Sequence, residues 1–197
     1  MARKRIKKEE TSPFYAVVKW LVDLSVVVGA AIFIGVFLGD QITVTGYSME
    51  PALSNADEVL VDKLLYHFKE PKRGDIIVFL PRSDSAQYYI KRIVALPGET
   101  VQIKDGLLYI DGKLQKGGEE EERILNAGLA AQELTLGEDE YFVLGDSRNN
   151  SEDSRFSSVG NVKRSNIIGK VWLKVTSLND IALVNRAKDD GEEREDR

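Results

Sequence analysis

Hydrophobic and polar positions follow three regimes along this chain. The first is one long apolar run: AVVKWLVDLSVVVGAAIFIGVFLGD, residues 16–40, is charged only at Lys19, Asp23 and the closing Asp40, and the 15 residues from Leu24 to Leu38 carry no charge. A bilayer span needs about 20 mostly apolar residues, so the run is long enough if Lys19 and Asp23 lie near the headgroups. The second regime follows at once. Short β-branched and aromatic stretches, QITVTG, DEVLVDKL, DIIVFL, QYYIKRIVAL, ETVQIKD, LLYIDG, EYFVLGD and IIGKVWLKV, are cut by Gly, Asp and Pro and read as strands, with KDG and DGK as turns. A helical period competes only over residues 54–68 and weakly over 123–131. The third regime is polar: KGGEEEERILNAGLAAQE, residues 116–133, reads as an exposed insertion, and KDDGEEREDR from Lys188 as a solvated, disordered tail. The pattern predicts a mainly β fold, with folded-over antiparallel sheets or a partly open barrel, preceded by one N-terminal transmembrane helix. There is no internal repeat.

Three readings of the apolar run compete. A basic start, MARKRIKK, and a short apolar core also fit a cleavable secretory signal. No small-x-small pair follows Leu38, however, and the chain passes directly into GDQITV, which favours a retained signal anchor. A buried core helix is the third reading, and the lack of a polar face weighs against it. The positive-inside rule then places residues 1–15 in the cytoplasm, 16–39 across the cytoplasmic membrane, a β domain of residues 40–186 outside it, and an acidic tail at 187–197.

Composition narrows the chemistry. The chain has 197 residues, 43% hydrophobic, with a net charge of −5. That charge gives no general basic field, so nucleic acid is not an expected partner. Cysteine is absent and His67 is the single histidine. Thiolate nucleophiles and disulfides are thereby excluded, a histidine-built zinc site would need several carboxylates, and neither a metal nor a cofactor is expected. A Ser-His-Asp triad would have to use His67.

Another route to an activated serine is a lysine amine held in a dry place, because burial disfavours its charged form. Ser48 stands in GYSMEP just after the anchor, and Lys91 stands in YYIKRIVALPGE. Alternation puts Lys91 on the face of Tyr89 and Ile93. A strand lysine usually snorkels to solvent, and Ser48 also fits a helix N-cap, with Pro51 near the first turn. GDSRNNSEDSRFSSVG, residues 145–160, is dense in short polar groups that suit a loop tied by side-chain-to-backbone turns; alone it reads as a hydrophilic surface loop, and its sequon Asn149-Asn150-Ser151 as a chance match.

The anchor, GYSMEPAL, RGDIIVF, YYIKRIVALPGE and GDSRNNSEDSR, in that order over residues 14 to about 175, resemble the bacterial type I signal peptidases, membrane-anchored Ser/Lys proteases that release secreted proteins from their signal peptides. The resemblance implies that Ser48 is the nucleophile and Lys91 the general base. It makes Ser151 the hydroxyl that bonds the lysine amine, and Asp146, Asp153 and Arg155 the residues that brace the site. One branch of the family has a hydroxyl residue at position 46 to help bind the oxyanion; this chain has Gly46, as is familiar in the Gram-positive branch. The implied partners are secreted preproteins cut after an A-x-A-like site and the lipid bilayer, with the translocation machinery a further candidate. QITVTG, with Val44, suits main-chain pairing with an extended substrate, and Met49, Leu53, Tyr89 and Ile90 are candidates for shallow pockets. A base needs an amine free of carboxylates, so Asp146 and Asp153 are expected to pair with Arg148 or Arg155.

Two other classes compete. Self-cleaving stress-response repressors share a Ser/Lys dyad on a related β fold, but are soluble and carry a DNA-binding helical domain where this chain has an anchor. A non-catalytic, anchored peptide-binding module is the other, against which the paired presence of Ser48 and Lys91 argues.

Overall fold

The computed structural model describes residues 13–38, 40–81, 87–115, 123–177 and 180–184. The basic start before residue 13, the stretch 116–122 of the expected insertion and the expected tail at 187–197 lie outside the described residues. Helix α1 (Pro13–Leu38) is long and apolar enough to cross a membrane, and the stretch from Pro13 to Ala31 buries nothing against the rest of the chain. Its exposed apolar side chains, Val17, Trp20, Leu21, Val22 and Val26 to Val28, run all the way round it, unlike the single stripe of a helix on a soluble core.

The remaining described chain is antiparallel β. The elements are β1 (Asp40–Thr43), β2 (Glu58–Asp62), α2 (Leu65–Phe68), β3 (Ile76–Phe79), β4 (Tyr89–Ala95), β5 (Thr100–Lys104), β6 (Leu107–Ile110), β7 (Lys113–Leu114), β8 (Leu134–Thr135), β9 (Glu140–Leu144), β10 (Val162–Lys163), β11 (Ile167–Ser177) and β12 (Asp180–Leu183). An eight-stranded sheet runs β1-β2-β11-β3-β4-β9-β10 with β12 also on β11, and a four-stranded sheet runs β7-β6-β5-β8. Register shifts in β11 and β4 curl the large sheet, as bulges do. In β3, Ile76 and Val78 face one apolar cluster with Val44, Met49, Leu53, Val59 and Val61, while Ile77 and Phe79 face another with Ile93 and Val143. Burial on both faces explains why DIIVFL is a continuous apolar run rather than an alternating one.

Two expectations change. The helical period over residues 54–68 resolves into β2 and the four-residue α2, because Val59 and Val61 alternate into the core as strand residues do. The stretch 123–131 is no loose insertion. Ile124 and Ala130 are buried with Val101, Ile103 and Leu108, and the Ile124 N–H donates to Gly106 O at 3.0 Å. Its apolar residues give a floor to the small sheet and place Asn126 beside Arg155.

Candidate active site

Ser48 sits in a turn, not at a helix start: Glu50 N–H donates to Tyr47 O at 3.2 Å and Leu53 N–H to Met49 O at 2.9 Å, and the chain then leads to β2. The turn enters through Gly46, whose φ of +92° favours glycine. The Gly46 N–H donates to Asn55 Oδ1 at 2.8 Å, so this amide is committed and not turned to a substrate oxygen. What Gly46 supplies in this structure is the backbone shape of the turn.

Lys91 lies opposite Ile77 in the β3–β4 register, between Tyr89 and Ile93, and is 5% exposed. Its Nζ is hydrogen-bonded to Ser48 Oγ at 2.6 Å, and lies 5.7 Å from the Tyr89 ring centroid. Burial pushes this amine down from its ordinary value of 10.5 to about 8; the charges of Asp153, Glu152 and Asp146 pull it partly back up, and Arg155 opposes them. No carboxylate bonds the amine among the described residues.

The loop after β9 is bolted from several sides. Arg155, 2% exposed, donates Nε to Asp153 Oδ1 at 2.8 Å and Nη2 to Asp153 Oδ2 at 2.9 Å, with further bonds to the carbonyls of Asn126, Arg148 and Ser151. Asp153 Oδ2 also accepts the Gly145 N–H at 3.1 Å. The planar guanidinium supplies the fixed fork that such a hub needs. Asp146 is held by Arg92 through two bonds of 2.7 Å, and Arg92 also reaches Gly74 O at 2.8 Å. Arg92 is one position past Lys91, so alternation turns it to the other face of β4. Asp153→Ala would leave the Arg155 guanidinium buried without its carboxylate, and is expected to cost about 3–5 kcal/mol of stability. A urea midpoint within error of the unmodified protein would refute that assignment.

Ser151 is adjacent to this lock, but its Oγ is buried without a hydrogen-bond partner among the described residues, so its expected bond to the amine is not formed here. Backbone ties do more: Ser147 N–H donates to Ser48 O at 3.1 Å, joining the loop directly to the turn that carries the serine. Arg92, Gly145 and the Ser147 amide are absent from the sequence reading of the site.

A groove runs over the pair, lined by Ile42 to Met49 on one wall and by Gln87 to Lys91, Asn150 and Glu152 on the other. Val44, Met49, Tyr89 and Ile90 line it. Leu53 does not: it is 0% exposed and folds back through its bond to Met49 to pack on Val59 and Val61 beneath the groove floor. Both walls offer open strand edges. β1 ends the large sheet, and the Val44 N–H and C=O turn inward to Asp57 and Ala56, so by alternation those of Thr43 and Thr45 turn outward. On β4, β9 pairs only from Arg92 onward, leaving one edge of Tyr89 to Lys91 unpaired among the described residues. His67 is exposed and is not part of the groove.

The site thus joins a serine hydroxyl to a buried amine, in a groove between two strand edges, on a curled β domain behind an apolar helix. Comparison with known proteins gives the family. Residues 17–176 match the family described as signal peptidase, peptidase S26. The chain is 30% identical over 191 residues to a probable signal peptidase I-2 of Synechocystis sp., covering 93% of this chain and 84% of that protein. It is 38% identical over 167 residues to a signal peptidase I of Leptolyngbya laminosa, covering 80% and 78%, and 35% identical over 185 residues to a signal peptidase I of Bacillus amyloliquefaciens, covering 89% and 96%. Among solved structures, a signal peptidase I from Enterococcus faecalis V583 is similar over 52% of this chain and 97% of its own, at 38% identity and a TM-score of 0.42. This chain belongs to the signal peptidase family, peptidase S26.

Proposed function

We propose that the protein is a membrane-anchored serine endopeptidase that removes signal peptides from secreted preproteins after an A-x-A-like site, with Ser48 as nucleophile and Lys91 as general base. The observation that carries this reading is the 2.6 Å bond between Ser48 Oγ and an amine whose burial brings its pKa to about 8. A neutral Lys91 takes the Ser48 hydroxyl proton as Oγ attacks the scissile carbonyl, and returns it to the leaving amine as the peptide bond breaks; water then releases the acyl ester by the same proton route. The Ser48 N–H, which has no acceptor among the described residues, is placed by sequence adjacency to meet the oxyanion. The substrate adds as an extended strand between the open edges of β1 and β4, and Val44, Met49 and Ile90 accept small side chains. Asp146 and Asp153, paired with Arg92 and Arg155, brace the loop without bonding the amine.

Ser48 follows Leu38 by ten residues, so even a fully extended link keeps it within about 33 Å of the helix end. Helix α1 thereby holds the groove near the outer membrane face, where a signal peptide's apolar segment ends, with the basic N-terminus cytoplasmic. The test uses the full chain in detergent with a preprotein. The new N-terminus, read by mass spectrometry, is expected to follow an A-x-A-like site, and Ser48→Ala to yield none; cleavage elsewhere, or cleavage by Ser48→Ala, sinks the reading. A chain starting at Asp40 should still cut a presented peptide yet process membrane-inserted preprotein poorly, because the anchor supplies local concentration and not chemistry.

A further inference from the structure

The charges beneath the groove are nearly all spent on one another. Arg92 holds Asp146, and Arg155 holds Asp153, each through two hydrogen bonds. Of the described residues lining the groove, two bear a formal charge, Lys91 and Glu152. Lys91 must be neutral to accept a proton, so in the working state the formal charge of the lining is that of Glu152 alone.

Glu152 is exposed, in contrast to Asp153 beside it, and its head group is fixed by neutral donors. Tyr89 OH donates to Oε2 at 3.3 Å, and Ser158 Oγ donates to Oε1 at 2.6 Å. These donors orient the carboxylate without neutralising it. A carboxylate offers about four acceptor positions, so about two stay open to a ligand. The half-exposed Tyr88 ring and the body of Tyr89 supply an apolar track beside it, along which the methylenes of a long basic side chain can lie while its head reaches the acid. The other polar lining residues, among them Thr43, Thr45, Gln87 and Asn150, are uncharged.

We propose that Glu152 is a charge selector for the segment bound in the groove: it favours Lys or Arg, and disfavours Asp or Glu, at the substrate position that passes over Tyr89. This rests on the reading that the groove binds an extended peptide. The sequence offers the matching reason for the loop's pattern, since Glu152 interrupts the braced Ser151 to Arg155 stretch with its one outward charge. Exposed charge pairs shift an equilibrium by up to about fivefold, and like charges oppose binding by a similar factor, so exchanging Lys for Glu in the substrate is expected to change kcat/KM roughly three- to tenfold.

The experiment takes the full chain in a non-ionic detergent and peptides identical except for Lys, Gln or Glu at each position around the scissile bond in turn. At one position kcat/KM should fall in the order Lys, Gln, Glu. The spread should shrink at about 1 M salt, where the screening length is ~3 Å. Glu152→Gln should collapse the spread and Glu152→Lys should invert it. A flat order at every position, or an order that survives Glu152→Gln, overturns the proposal. Binding of the same peptides to full-length Ser48→Ala, read by fluorescence anisotropy, separates the two readings. If no peptide is cut, the peptidase assignment fails, while the anisotropy order still decides for or against Glu152.

Discussion

Lys91→Arg is expected to be as dead as Ser48→Ala, although arginine keeps the length and the charge of the side chain it replaces. Guanidinium stays protonated at any pH where the protein is folded, so it cannot take the serine proton. In the proposed mechanism nucleophile and base act as one unit, so each single loss should equal the double loss. The unmodified enzyme should show kcat/KM rising along one limb with a midpoint at about 8. The sign follows from the base: raising the pH removes the proton that blocks Lys91, so activity climbs through the midpoint and levels above it. At pH 7 about a tenth of the amine is neutral. The groups that set the midpoint are the desolvating environment first, then Asp153, Glu152 and Asp146 against Arg155. A limb centred near 10, or measurable turnover by Lys91→Arg, would remove lysine from the mechanism.

The same burial carries a stability cost, with a sign that can be checked. The amine ordinarily titrates at 10.5 and in the fold at about 8, so between these values the unfolded chain binds the extra proton and stability rises with pH. Below about 8 the whole penalty is present. Lys91→Met should therefore be inactive yet more stable near neutrality, by up to about 3 kcal/mol, and that gain should fade as the pH passes 10. Equal unfolding midpoints for both proteins across this range would show that the site is wetter than its geometry implies.

Much of this was legible before the fold. Strands with several alternating or β-branched residues, such as β2, β4, β5 and β9, announce themselves, and α1 does so by length alone. The two-residue strands β7, β8 and β10 are too short to carry a period; they exist because their neighbours need edge partners. Lys91 stood out because apolar residues surround it in its strand. The pairing of Asp146 with Arg92 was hidden for a physical reason: proximity in sequence pointed to Arg148 and Arg155, whereas the sheet brings β4 and the end of β9 side by side, with Arg92 opposite Leu144. The conformation of Gly46 was hidden likewise, because a glycine's φ and the claim of Asn55 on its N–H belong to the turn and leave no mark in composition. Leu53 looked like a pocket residue by nearness to Ser48, but the turn after Met49 carries it under the groove.

Gly145 shows how closely the two halves of the site approach, and gives the last expected result: Gly145→Ala should lose on the order of 100-fold in kcat/KM while remaining folded. Gly145 is buried at the end of β9 and is not among the residues with positive φ, so alanine meets no backbone strain there. The cost is space. A Cβ would fall 2.5 Å from Ser151 Cβ, and closer still to Ser151 Oγ and to the backbone carbonyl oxygen of Ser48. Neither neighbour yields freely. The Ser48 carbonyl also accepts the Ser147 N–H, and Ser151 precedes the buried Asp153–Arg155 lock, whose guanidinium holds the Ser151 carbonyl. One methyl group must therefore push the serine turn or the loop by a sizeable fraction of an ångström. Overpacking of this kind costs about 1–3 kcal/mol of stability, which a core of this size can bear. The reaction cannot bear it, because a displacement of about 1 Å in a reacting group can cost 10²-fold. Ser151→Gly placed on top of Gly145→Ala removes two of the three close contacts and should restore part of the lost rate, which a merely destabilised fold would not show. Near-normal kcat/KM in Gly145→Ala, with its unfolding midpoint unchanged, would mean that the loop and the serine turn are not in the contact described.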